Sequence, residues 1–234
     1  MMTRATRRSL SLGLLTAGLA TGLSGCITLL PEVKAVQLYS IRFNPALLEK
    51  GEVKAPPASP DAKPVDVFLN FDGFPRAAAG DRIVTTEGNE VSYVSGGRWA
   101  STAQGQFRDL MSEGFARQAS PEVRLGDQGR VSGEYRLDIN VRRFEAAYAK
   151  RRPTVIVALD ARLVRLKDRQ VMAEKFISSE IAVRKGSLGP MIEGFESAAS
   201  RVTVEVIAFT ETAVSEAKAK EATTPPPPAT APTQ

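Results

Sequence analysis

Three long alternating stretches follow one another between Glu134 and Val183, and they constrain the fold more than any other feature of the chain. "EYRLDINVRRFEAAY" puts Tyr135, Leu137, Ile139 and Val141 on one side and Arg136, Asp138, Asn140 and Arg142 on the other. Successive side chains of a strand point to opposite faces, so the pattern describes a half-buried strand. The phase then slips: Arg143 is polar and Phe144 apolar. One extra residue near Arg142-Arg143 predicts a β-bulge. "PTVIVALDARLVRL" follows after the basic turn Lys150-Arg151-Arg152, and "VMAEKFISSEIAV" follows after "KDRQ". Consecutive strands joined by short turns predict an antiparallel meander. The basic turn reads as a solvated hairpin tip or as a contact with anionic headgroups.

The remaining elements are placed around that meander. "KAVQLYSIRF" (Lys34–Phe43) predicts a strand with Val36, Leu38, Ser40 and Arg42 on one side and Gln37, Tyr39, Ile41 and Phe43 on the other. Pro45, Pro56, Pro57, Pro60 and Pro64 make residues 44–64 a Pro-rich loop, because proline lacks the N–H a ladder requires. "VDVFLNFDGF" is a strand with Val65, Val67, Leu69 and Phe71 on one face, and "DRIVTTEGNEVSYVS" is a hairpin turning at Glu87-Gly88-Asn89. A helix over about Thr102–Gln118 carries Phe107, Leu110, Met111 and Gly114 on one side, with Ser101 or Thr102 as cap and Pro121 beyond its end. A second helix starts at a Ser187 cap and carries Leu188, Met191, Ile192, Phe195, Ala199, Val202, Val206 and Phe209. The expectation is one α+β domain of two layers, a mostly antiparallel sheet with both helices on one face. Beyond about Ala213 little is large and apolar, so residues 211–234 are expected to be a disordered tail, with Pro225 to Pro228 as a stiff polyproline spacer.

The amino terminus belongs to a different class of signal. Arg4, Arg7 and Arg8 precede the apolar run Leu10–Ala20, and small residues follow it. That order describes an export signal, and the run is too short for a spanning helix, which needs roughly 20 residues. Leu23, Ser24, Gly25 and Cys26 resemble a bacterial lipobox, in which the cysteine is acylated and becomes the mature first residue. The domain boundaries then read 1–25 signal peptide, 26–210 domain and 211–234 tail. Ile27 rather than Asp follows the cysteine, which points to the inner leaflet of the outer membrane, facing the periplasm. Loss of the three arginines lowers the net charge from +5 to +2, so the basic pI is partly a property of the signal and a nucleic-acid reading loses its support. Cys26 is the only cysteine, so no intramolecular disulfide forms and the fold holds by packing and hydrogen bonds.

Enzyme chemistry finds little material. The chain has no histidine, which removes the usual histidine-dependent hydrolases and most zinc sites, and no phosphate-binding glycine loop. Asp72, Asp81, Glu87 and Glu90 lie near turns, and nothing pairs two of them for acid–base work. No enzyme activity, cofactor or metal is expected. "GGRWA" stands out, since it holds the only tryptophan. Trp99 with Arg98 reads either as a recognition spot or as a plug between helix and sheet. Tyr93, Arg98 and Trp99 are the candidate partner contacts.

With these residues in place, the chain resembles the ABC-type transport auxiliary lipoproteins, in particular the paraquat-inducible protein C group. The likeness runs through the lipobox, the strand holding "QLYSIRF", and the pattern of Arg82, Ile83, Val84, Gly88, Asn89, Tyr93, Arg98 and Trp99. It continues through Phe144 and Glu145 and through "RLVRLKDRQVMAEKFISSE", covering about Cys26 to Phe209. The resemblance implies a non-enzymatic, membrane-anchored auxiliary or docking component. Its partners would be an MCE-domain (mammalian cell entry) protein and an ABC permease and ATPase that move phospholipids or other hydrophobic molecules between the inner and outer membranes. A homo-oligomeric ring would suit such a partner. Two other readings stand beside it: an adaptor or activator of peptidoglycan machinery, and a periplasmic lipid carrier with an apolar cavity between sheet and helices.

Overall fold

The computed structural model describes residues 35–48, 64–126, 134–149, 152–184 and 188–223. Cys26, Lys150, Arg151, Ser187, most of the Pro-rich loop and Pro225 to Pro228 lie outside the described residues. In chain order the elements are β1 (Gln37–Tyr39), a 3-10 turn (Pro45–Leu47), β2 (Val65–Gly73), β3 (Arg82–Glu87), β4 (Glu90–Trp99), α1 (Ala103–Gln118), β5 (Val123–Leu125), β6 (Tyr135–Ala149), β7 (Arg152–Arg165), β8 (Val171–Ala182) and α2 (Leu188–Thr223). The eight strands form one open mixed sheet, and the two helices pack on one face of it, giving an α+β fold.

β6 is the spine. Along one edge it pairs antiparallel with β7 from Tyr135 to Ala149, and β7 pairs antiparallel with β8, completing the meander. Along its other edge, β2 takes the first half in parallel and β3 the second half, also in parallel. β5 extends the sheet beyond β2, while β4 and then β1 extend it beyond β3. The ladder shifts register between Val141 and Arg143, where the bulge is expected. That single extra residue lets Tyr135, Leu137, Ile139 and Val141 share the buried face with Phe144 and Ala146.

The buried layer is aromatic at its centre. Phe144 lies 5.4 Å from Phe74, 6.2 Å from Trp99, 5.8 Å from Phe107 and 5.0 Å from Phe195, ring centre to ring centre. One side chain thus joins β6, β4, α1, α2 and the segment after β2. In α1, Thr102 is the N-cap, its hydroxyl accepting from Gly105 N at 3.2 Å, and Phe107, Leu110, Met111 and Gly114 face the core. The β-branched stretch "VTVEVI" is helical in α2, and its buried threonine satisfies itself: Thr203 Oγ1 donates to Ala199 O at 2.8 Å. Thr210 does the same to Val206 O at 2.7 Å.

Two boundaries differ from expectation. The first strand ends at Tyr39 rather than Phe43, although Ile41 and Phe43 are buried as the alternation requires. Beyond Tyr39 the backbone donates to helix side chains in place of a neighbouring strand. Ile41 N bonds Gln106 Oε1 at 2.9 Å, Phe43 N bonds Glu113 Oε2 at 3.4 Å, and Asn44 N bonds Ser200 Oγ at 3.1 Å. The second correction concerns the start of the tail. α2 continues to Thr223 because Ala213, Val214 and Ala217 are small enough to bury without large side chains. Glu221 then pairs with Arg165 at 2.9 Å and with Lys167 at 2.7 Å, fastening the helix end to the β7–β8 turn.

Candidate functional site

The sheet face turned away from the helices is polar over most of its width. Arg124 pairs with Asp66 at 2.7 Å, Arg136 with Asp138 at 2.7 Å, Arg142 with Asp160 at 2.5 Å and Arg162 with Glu174 at 3.2 Å. Asn70 Nδ2 also donates to Asp138 Oδ1 at 2.7 Å. Hydrogen bonding from Arg124 holds the Asp66 carboxyl below its ordinary value. These charges satisfy one another, so this part of the face has neither a free field nor an apolar patch to offer a partner. Phe176 interrupts it as a single exposed ring on β8.

The end of the sheet built from β1, β4 and β3 is different. Leu38 sits opposite Arg98, and Arg98 opposite Arg82. The Arg82 guanidinium lies 3.7 Å from the centre of the Tyr93 ring, a cation–π contact. Leu38 is 66% exposed, Val36 is exposed two residues before it, and Val91 and Tyr93 are exposed on β4. Arg98 Nη1 pairs with Asp81 Oδ2 at 3.0 Å. Here apolar side chains, a tyrosine and two arginines share one surface.

"GGRWA" supplies the local geometry. Between the pairs Arg82–Arg98 and Val84–Tyr93, β4 carries more residues than β3, and Gly96 lies within that irregular stretch with a φ of +78°. Gly97 leaves room for α2: a Cβ there would lie 2.3 Å from Leu188 Cδ2. Arg98 and Trp99 then point to opposite faces.

Of the three candidate contact residues, Tyr93 and Arg98 are therefore brought together on the outside, and Trp99 is not with them. Trp99 is 2% exposed, edge-on to Phe195 at 5.3 Å. The plug reading is the one the packing supports, and Trp99 leaves the contact set because a buried indole has no surface to give. Leu38 and Val36 were visible in the sequence as one side of an alternating strand. Alternation alone does not say which side faces out. Arg82 entered only as part of the family pattern and not as a contact residue.

The space proposed for a carried lipid, between sheet and helices, is filled by Phe74, Trp99, Phe107, Phe144 and Phe195. Among the described residues no group of acidic, cysteine or histidine side chains could hold a metal, and no helix is long and apolar enough to cross a membrane.

Comparison with known proteins adds the family. The model of the ABC-type transport auxiliary lipoprotein component matches residues 54–207. Protein XCC0632 from Xanthomonas campestris superimposes with a TM-score of 0.62 at 22% identity, covering 71% of this chain and 95% of that one. A second solved structure, of an uncharacterised protein, gives a TM-score of 0.56 at 14% identity, covering 75% and 99%. At these identities the two structures show the shared fold alone. No curated protein matches. The family match spans more than half of the chain, and the chain belongs to the ABC-type transport auxiliary lipoprotein family.

Proposed function

We propose that the protein is a lipid-anchored docking component of an MCE-type ABC transporter, held by acylated Cys26 at the inner leaflet of the outer membrane. The observation that carries this reading is the family match, which makes the chain a transport auxiliary component and so not a member of an enzyme class. The lipobox Leu23 to Cys26 supports the anchor, since one acyl chain binds a membrane only marginally and two or more hold it. The MCE partner and the hydrophobic cargo follow from the resemblance in "DRIVTTEGNEVSYVSGGRWA" and "EYRLDINVRRFEAAY". The domain exposes Tyr93 and Arg98 on the outer face of the sheet, while Trp99 is buried. Its first strand starts 11 residues after Cys26, which keeps the domain close to the membrane and disfavours a wall-spanning adaptor.

Two measurements test the proposal. Cys26→Ala should abolish partitioning into membranes. Amine-reactive crosslinking in intact cells, followed by purification of the tethered protein, should recover an MCE-domain protein. Recovery of cell-wall enzymes alone would replace this reading by the peptidoglycan adaptor.

A further inference from the structure

We propose that the β1–β4–β3 end of the sheet rests on the headgroup layer of an anionic phospholipid membrane and orients the domain there. The inference builds on the Cys26 anchor proposed above.

The argument begins with where the chain enters the fold. Val36 lies ten residues after Cys26, so the acylated end reaches at most about 35 Å from the start of the folded unit. The first side chains of that unit are exposed and apolar: Val36 at 47% and Leu38 at 66%. Across the ladder Leu38 lies opposite Arg98, and Arg98 lies opposite Arg82 on the next strand, with the Tyr93 ring under the Arg82 guanidinium. Aliphatic side chains, a tyrosine and arginines on one surface match the chemistry of the membrane interface. Amphipathic rings settle at headgroup depth, and basic side chains are attracted to anionic lipid. Elsewhere on this sheet face the arginines pair with carboxylates; here Arg98 pairs with Asp81, while the Arg82 guanidinium stacks on the Tyr93 ring. A short tether also makes contact with the bilayer an intramolecular event, so a patch too weak to bind from solution can still be occupied. A protein partner has no such advantage at this end.

The test uses the mature lipoprotein reconstituted in vesicles of phosphatidylcholine and phosphatidylglycerol. Lipidation consumes the only native thiol, so an introduced cysteine is the only reactive one. Leu38→Cys and, as a control on β8 at the other end of the sheet, Phe176→Cys are each labelled with an environment-sensitive fluorophore. With nitroxide-bearing phospholipid present, the label at 38 should be quenched severalfold more than the label at 176. Arg82→Gln and Arg98→Gln should each shift the equilibrium away from the surface by about fivefold, and omission of phosphatidylglycerol, which removes both attractions, should shift it by more than either. Equal quenching at 38 and 176 in protein that floats with the vesicles would overturn the inference and leave the anchor standing. Protein that does not float at all would overturn the anchor, and this inference with it. A photo-crosslinking residue at 38 that captures protein rather than phospholipid in cells would assign the surface to a protein partner instead.

Discussion

A Cβ built on Gly114 would lie 2.4 Å from Thr203 Cγ2 and 3.1 Å from the Phe43 ring. At this glycine of α1, both α2 and the N-terminal segment pack against the helix. In an isolated helix Gly→Ala is worth about 1 kcal/mol of added stability. Here overpacking, which costs about 1–3 kcal/mol, opposes that gain and exceeds it. Gly114→Ala should therefore lower stability by about 1 kcal/mol in denaturant unfolding. In a Thr203→Ala background, where the clashing methyl is gone, the same change should cost less than half as much. Equal costs in the two backgrounds would show that the methyl contact is not the cause. Phe144 is the other residue on which several elements converge. Truncating Phe144 to alanine should cost about 3–5 kcal/mol, because the hole it leaves is lined by four rings from different elements.

At the scale of elements, the bulge in β6 decides which side chains reach the core. Arg142 is the extra residue, and its guanidinium faces outward to Asp160. Deleting Arg142 removes the phase change. Phe144 and Ala146 would then point to the polar face while the first half of the strand keeps its register. The expected outcome is loss of cooperative unfolding, or a species with exposed aromatic surface that binds a hydrophobic dye. Arg142→Ala keeps the residue count and should cost much less, since only a partly exposed ion pair is lost. A deletion variant that unfolds like the parent would show that the bulge does not set the register.

At the scale of the whole folded unit, the first and last described segments are held by polar contacts with distant elements. The carboxyl end of α2 is tied to the β7–β8 turn by Glu221, Lys167, Arg165 and Asp168. Hydrogen bonding from Arg165 holds the Asp168 carboxyl below its ordinary value, and bonding from Lys167 does the same for Glu221. A folded-state pKa below the unfolded one gives stabilisation that is complete above the ordinary carboxylate range, near pH 4. It is lost as pH falls through the depressed folded value. Hydrogen exchange in the last turns of α2, corrected for intrinsic rates, should accelerate on acidification before the meander is affected. Glu221→Gln should loosen the same turns at neutral pH and flatten that pH response. An unchanged response in the variant would assign the effect to other groups.

What the sequence by itself determined is whatever covalent geometry writes as a period along the chain. The alternation in β6, β7 and β8, the slip at Arg142, the Gly88-Asn89 turn and the apolar stripes of both helices are each visible within a dozen residues. The stretch Leu23 to Cys26, on which the proposed anchor rests, is an equally short local signal. The tertiary structure decided what depends on coverage by residues far away in the chain. It chose the parallel entry of β2 and β3 along β6 and the end of β1 at Tyr39. It buried Trp99 while leaving Tyr93 and Arg98 outside, and it extended α2 to Thr223 over small residues that look unremarkable alone. Period tells which side chains share a face; only the packed neighbours tell which face loses its water.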